Sequence, residues 1–257
     1  MEGPINTAAA VLLILVGVLH SILGERVVLR PLFAGSWELA LSRGAAQRLL
    51  RGAWHLTSLA WWGLSAVLLG APAGVAFGLV CLLSVATIHV CLPGHLAWPL
   101  FTAAGVLSLG AAGALPPTLL HAVVVVAAGA ATVAAGFHVA WVTGVRRGLR
   151  HALPQASGSR EPLGRPGRGA TLAVAGALAA YVVVVAALAL GAEGSLWRWC
   201  SIAALVVLVV RVVGEGRYVG ITKRVRNTGF ARADDRYWTP LVGLLGLGSA
   251  AALALAG

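Results

Sequence analysis

Eight stretches of 18 to 26 residues, nearly free of charge, run through this chain at about 5–24, 52–71, 74–91, 96–115, 118–143, 170–192, 196–214 and 238–256. A helix that crosses a bilayer needs roughly 20 predominantly apolar residues. Inside hydrocarbon each backbone N–H and C=O must be satisfied within the segment, which makes such a stretch helical. The rest of the composition closes off a water-soluble fold. Only 11% of the residues are charged and 59% are hydrophobic, against about a quarter charged in an ordinary soluble domain. The expected fold is therefore all-α, a polytopic membrane helix bundle of about eight transmembrane helices. Turn chemistry separates the stretches: Gly70-Ala71-Pro72, Leu92-Pro93-Gly94 and Pro116-Pro117. The last of these divides the chain into two four-helix halves, 1–115 and 116–257. The first stretch lacks a basic leader and runs into His20, Gly24 and Glu25 rather than a small-residue cleavage site. It is expected to be a retained span.

The charges set an orientation. Eighteen of the nineteen Lys and Arg fall in the connections 25–51, 92–95, 144–169 and 215–237 or at Arg211, all on one side; Arg198 alone is on the other. The positive-inside rule makes the basic side cytoplasmic and leaves both termini outside, in a bacterial cell membrane. The net charge of +11 is thus a topology and headgroup signal, with anionic lipids as expected partners and no nucleic acid. The connection 144–169, rich in Arg, Gly, Pro and Ser, reads as mobile. The three cysteines, Cys81, Cys91 and Cys200, have no CxxC spacing; Cys81 and Cys200 read as small core residues.

Candidate chemistry gathers at one depth. His20, His55, His89, His95 and His138 all lie at the basic-side ends of spans, while His121 is at the opposite end. Imidazoles from several helices at one level are how bundles build metal or haem sites. His20, His55, His89 and His138 are the expected ligands, with His95 in reserve. Glu25 and Glu215 stand near as ligands or general acid/base. Arg51, His55, Ser58 and Trp62 recur at helical spacing, so they share a stripe that should face the bundle. Gly24 shares a face with His20 and would admit a neighbouring helix closely. The plain alternatives are interfacial histidines without a ligand, a salt bridge from Glu25 to Arg26, Arg48 or Arg51, and an Arg211–Glu215 pair one turn apart. Lys223, Arg224 and Arg226 read as a lipid contact. Tyr218, Tyr237 and Trp238 read as interfacial anchors.

Three runs carry a resemblance. They are His138-Val139-Ala140-Trp141-Val142-Thr143-Gly144, the long run from Gly214-Glu215-Gly216-Arg217-Tyr218 through Lys223-Arg224-Val225-Arg226-Asn227-Thr228-Gly229-Phe230-Ala231-Arg232, and Asp235-Arg236-Tyr237-Trp238-Thr239-Pro240. Together, over about 134–257, they resemble a bacterial family of four-span membrane proteins classed as a domain of unknown function. The resemblance implies four spans and no particular activity. The N-terminal half, with His20-Ser21-Ile22-Leu23-Gly24-Glu25 and Trp54-His55-Leu56-Thr57-Ser58, resembles other uncharacterised bacterial membrane proteins.

No Walker loop, dinucleotide fingerprint or nucleophile elbow is present. The expected activity is an integral membrane oxidoreductase, iron- or haem-dependent, acting on a lipophilic small molecule from the membrane. Its alternatives are a non-catalytic subunit or scaffold, which needs no site, and a small-solute transporter, which would need polar groups at span centres.

Overall fold

Where the apolar runs end, the backbone turns. The computed structural model describes residues 2–36, 42–91, 97–158 and 161–257, so His95 and the connection around Pro93 lie outside the described residues. The chain forms two units, Met1–Ala114 and Leu115–Gly257.

In the first unit α1 (Glu2–Leu23) continues without a break into a π-helical segment, π1 (Gly24–Leu29), and then α2 (Arg30–Ala34). Ser42 caps α3 (Arg43–Leu68) by accepting the Ala45 N–H at 3.4 Å. Next come α4 (Ala73–Cys91) and α5 (Trp98–Ala111). Packing follows chain order, α1 on α3, α3 on α4 and α4 on α5. Glycine sets the helix spacing at two of these contacts. A Cβ on Gly78 would lie 3.1 Å from the Gly105 carbonyl, and one on Gly105 would lie 3.2 Å from that of Gly78. Gly17 on α1 and Gly24 at the start of π1 lie under the indole rings of Trp62 and Trp54.

The Gly24 contact supports a direct prediction. A Cβ there would meet Trp54 Nε1 at 1.9 Å, and that same N–H donates to the His20 carbonyl at 2.9 Å. Gly24→Ala should displace the ring and cost about 1–3 kcal/mol of overpacking. Gly129→Ala, on a helix face with nothing within 4 Å, should cost nothing and gain helix propensity. Thermal unfolding in detergent compares the two; equal melting temperatures would refute the contact.

In the second unit α6 (Pro117–Val142), α8 (Arg168–Ala189), α9 (Ser195–Val213) and α11 (Thr239–Leu255) form the bundle. Helix α11 packs on each of the other three. Its central place explains its composition: Gly246, Gly248, Ser249, Ala250, Ala251 and Ala252 are all buried. The core gathers Leu120, Val124, Tyr181, Val185 and Leu188 around it. Tyr181, buried there, donates its hydroxyl to the Leu245 carbonyl at 2.7 Å, as a phenol must when water is excluded. On the basic side lie the short α7 (Leu149–Ala152), α10 (Gly229–Ala233) and a second π-helical segment, π2 (Asp234–Trp238), leading into α11.

Among the described residues six helices are long and apolar enough to cross a membrane, where about eight are expected. The two that fall short do so for different reasons. Helix α3 begins with Arg43, Arg48 and Arg51 and carries His, Ser, Thr and Trp through its middle. Helix α5 has 14 residues, about 21 Å at 1.5 Å each, less than the ~30 Å hydrocarbon core.

The connection 144–169, expected to be mobile, is stapled over its described residues, and its last two residues already belong to α8. Gln155 is 5% exposed and accepts the Phe230 N–H at 3.2 Å. Trp238 Nε1 donates to the His151 carbonyl at 2.8 Å, and Ser157 bonds Asn227. Polar composition alone does not reveal such long-range partners. Cys81 is buried as expected, but Cys200 is exposed, because it sits on the outer face of α9.

Candidate functional site

In the first unit every member of the polar stripe of α3 meets α1 or π1. Arg51 grips Glu25 through both nitrogens, Nε to Oε2 at 2.9 Å and Nη2 to Oε1 at 2.8 Å. His55 Nδ1 lies 3.0 Å from Ser21 Oγ, and Ser21 Oγ lies 2.9 Å from the buried Ser58 Oγ. Trp62 Nε1 donates to the Ile14 carbonyl at 3.3 Å. The stripe faces its neighbour because polar groups in hydrocarbon are costly without partners. Glu25 makes the salt bridge foreseen with Arg51, and Arg30 approaches it at 3.8 Å. It lies in the first turn of π1, where the backbone is wound more widely than in an α-helix.

His20 belongs to the same seam. Its Nε2 lies 2.9 Å from Thr57 Oγ1. Its ring stacks on Trp54 at 4.5 Å and 6°, with Trp61 edge-on at 4.9 Å. His89, at the end of α4, bonds through Nδ1 to the Val85 carbonyl at 2.9 Å and tilts against Trp98. In the second unit His138 does likewise, with Nδ1 2.8 Å from the Ala134 carbonyl and its ring against Trp141. The sequence places these residues at one depth; the structure brings His20 and His55 onto one seam with Glu25 and gives each its own local partner. Among the described residues no group of three or more His, Cys, Asp or Glu is placed to hold a metal ion. His95 lies outside the described residues.

The densest polar construction is in the second unit, and it was not foreseen. Arg211 does not pair with Glu215. Its Nη2 donates instead to Asp234 Oδ1 at 2.7 Å. Asp234 Oδ2 accepts Lys223 Nζ at 3.0 Å, the Gly220 N–H at 2.9 Å and Thr239 Oγ1 at 3.1 Å. Lys223 spends its three donors on Asp234, on Asp235 Oδ1 at 2.5 Å and on the Gly220 carbonyl at 3.0 Å. It is 1% exposed and Asp234 is 0% exposed. Reading Lys223 as a lipid contact is thus corrected: its loop folds back and carries it inside, while Arg224 and Arg226 remain outside. One signal was available. This is the only lysine beside eighteen arginines, and a compact ammonium with three rotatable donors suits convergent acceptors that a planar guanidinium does not.

Glu215 caps the loop that carries this knot. Its carboxylate accepts the N–H groups of Arg217 at 2.8 Å and Tyr218 at 2.6 Å. Partial burial pushes its pKa up, but the N–H groups of Arg217 and Tyr218 outweigh it, and the carboxyl sits below its usual value. A carboxyl with a lowered folded pKa stabilises fully above its unfolded value and loses that contribution as pH falls through the folded one. Glu215→Ala should therefore lower the melting temperature at neutral pH, at a cost of about 1 kcal/mol. Below the folded pKa the two proteins should converge. Melting curves across the acid range check this; a gap that persists at the lowest pH would refute it.

Tyr237 is exposed with Arg236 over its ring, and Arg217 covers Tyr218, as suits side chains at a membrane boundary. Trp238 instead is part of the staple.

Residues 130–249 match the model of a family described as Protein of unknown function (DUF3995). The match lies inside the second unit and spans the charged knot, in keeping with the motifs that point to an uncharacterised membrane family. No curated protein and no solved structure matches the chain.

Proposed function

We propose that this multi-pass membrane protein acts as a non-catalytic membrane subunit or scaffold, lying in a bacterial cell membrane with its basic connections in the cytoplasm. The observation that carries this reading is the occupation of the reactive groups. Glu25 is held by Arg51, Glu215 by backbone N–H groups, His20 by Thr57 and two indoles, and His55 by Ser21. Lys223 and Asp234 neutralise each other inside the second unit. Groups so engaged hold helices in register. The charge distribution, eighteen of nineteen cations on one side, supports the orientation and contact with anionic lipids.

A second reading keeps the enzyme, an iron- or haem-dependent oxidoreductase acting on a lipophilic small molecule. One observation favours it. Nδ1 of His89 and of His138 is tied to a backbone carbonyl, which fixes the tautomer and leaves the lone pair on Nε2, as in metal-ligating histidines. Such a group would supply redox chemistry that these side chains lack.

Elemental analysis and a visible spectrum of detergent-purified protein separate the two. The subunit reading expects well under one metal per chain and no visible band. A stoichiometric transition metal, lost together with its absorption in His89→Leu or His138→Leu, would replace it with the enzyme.

A further inference from the structure

The connection between α6 and α8 folds around a cavity of about 710 Å3 whose wall includes Arg146, Arg147, Arg150, Arg165, Glu161 and Leu153. Four guanidinium groups against one carboxylate make the lining net positive by three. Arg150 Nε is turned to His151 Nε2 at 3.2 Å. The guanidinium groups of Arg146, Arg147 and Arg165 make no hydrogen bond or ion pair among the described residues. Elsewhere in this unit the protein does the opposite, since Arg211 and Lys223 are matched by carboxylates. The four arginine side chains of the cavity are exposed, so water and counterions screen their mutual repulsion, and an anion entering the cavity would be attracted by all of them.

The frame around these arginines is built. Trp141 Nε1 donates to the Arg147 carbonyl at 3.0 Å. Buried Gln155 donates to the Arg150 carbonyl at 3.3 Å. The Leu163 N–H closes on the Pro154 carbonyl at 2.9 Å. Arg168, at the start of α8, donates to the Val142 carbonyl at the end of α6 at 3.2 Å, and so ties the two span ends together. The cavity therefore opens at the boundary of two spans, the depth of lipid headgroups.

We propose that this cavity is a phosphate site. It takes a phosphate group, either on the headgroup of an anionic amphiphile or free in solution. The donor set fits: guanidinium forks pair two N–H groups with two phosphate oxygens, and several forks can share the three or four oxygens of one group. Glu161 on the rim gives the site a polarity, disfavouring an anion at that edge. The proposal does not depend on the subunit reading, because either a scaffold or an enzyme could carry it.

The full chain in neutral detergent is titrated with inorganic phosphate by calorimetry. In a second arm it is titrated with short-chain phosphatidylglycerol, read by native mass spectrometry, with phosphatidylcholine as the blank. Two variants of equal charge loss accompany the wild type: Arg146→Gln/Arg147→Gln/Arg165→Gln in the cavity, and Arg26→Gln/Arg224→Gln/Arg232→Gln on exposed positions elsewhere. The site is supported if the cavity variant weakens binding on the order of a hundredfold while the other stays within a few-fold of wild type. Loss in the phosphate arm assigns a soluble ligand; loss in the phosphatidylglycerol arm alone assigns a lipid. Equal loss in both variants would mean diffuse surface charge and overturn the proposal. So would the absence of saturable wild-type binding in both arms.

Discussion

Lys223→Met should be among the most damaging single changes in the second unit. Methionine keeps the aliphatic length but removes the ammonium, leaving Asp234, 0% exposed, with Arg211 as its one remaining cation. Removing one partner from a buried ion pair costs about 3–5 kcal/mol, because the charge left behind stays buried. The three contacts of the ammonium, to Asp234, Asp235 and the Gly220 carbonyl, go with it. Thermal or denaturant unfolding in detergent should show a loss several times larger than that of Arg224→Gln, an exposed neighbour. Adding Asp234→Asn to Lys223→Met should recover part of the stability, since the orphaned charge is gone. If Lys223→Met melts with the wild type, the buried knot is not what holds this loop.

Gly214→Ala should rival it for a different reason. Gly214 ends α9 at φ +88°, and a Cβ there would sit 1.9 Å from the Val219 carbonyl oxygen. Gly220, at φ +73°, faces the same crossing, its own Cβ position 2.6 Å from the Val212 carbonyl oxygen. These obstacles are backbone, so no rotamer change relieves them. The left-handed conformation alone costs about 1–2 kcal/mol for a residue with a Cβ, and overpacking adds about 1–3. Gly216 provides the comparison: φ is +86° but the space is open. Gly216→Ala should therefore show only the conformational part. The difference between the two variants measures the close approach. It also reports on the knot, because the Gly220 N–H bonds Asp234. Equal losses in the two alanine variants would refute the crossing.

The two units differ in how much of their polar structure could be read in advance. The stripe Arg51, His55, Ser58 and Trp62 is legible because a helix repeats every 3.6 residues and a polar face within a membrane seeks a partner. Glu25 follows from the same logic, since few acids stand near those arginines. The knot is not legible that way. Its members, Arg211, Lys223, Asp234 and Thr239, come from a helix end, a loop, a π-helical turn and the next helix. They share no period. The nearest acid in sequence to Arg211, Glu215, instead turned to the backbone of its own loop.

Sequence alone therefore determined the solvent and the helical class. Each follows from local composition: a run of some twenty apolar residues has a favourable place only in hydrocarbon, and there it must be helical. Tertiary structure decided which charges went inside. A lysine within a basic loop looks like any surface cation until the chain folds back at Gly214 and Gly220 and closes it against Asp234 and Asp235. Burying an ion is costly unless its partners are already placed, and the partners here are set by the crossing of the backbone.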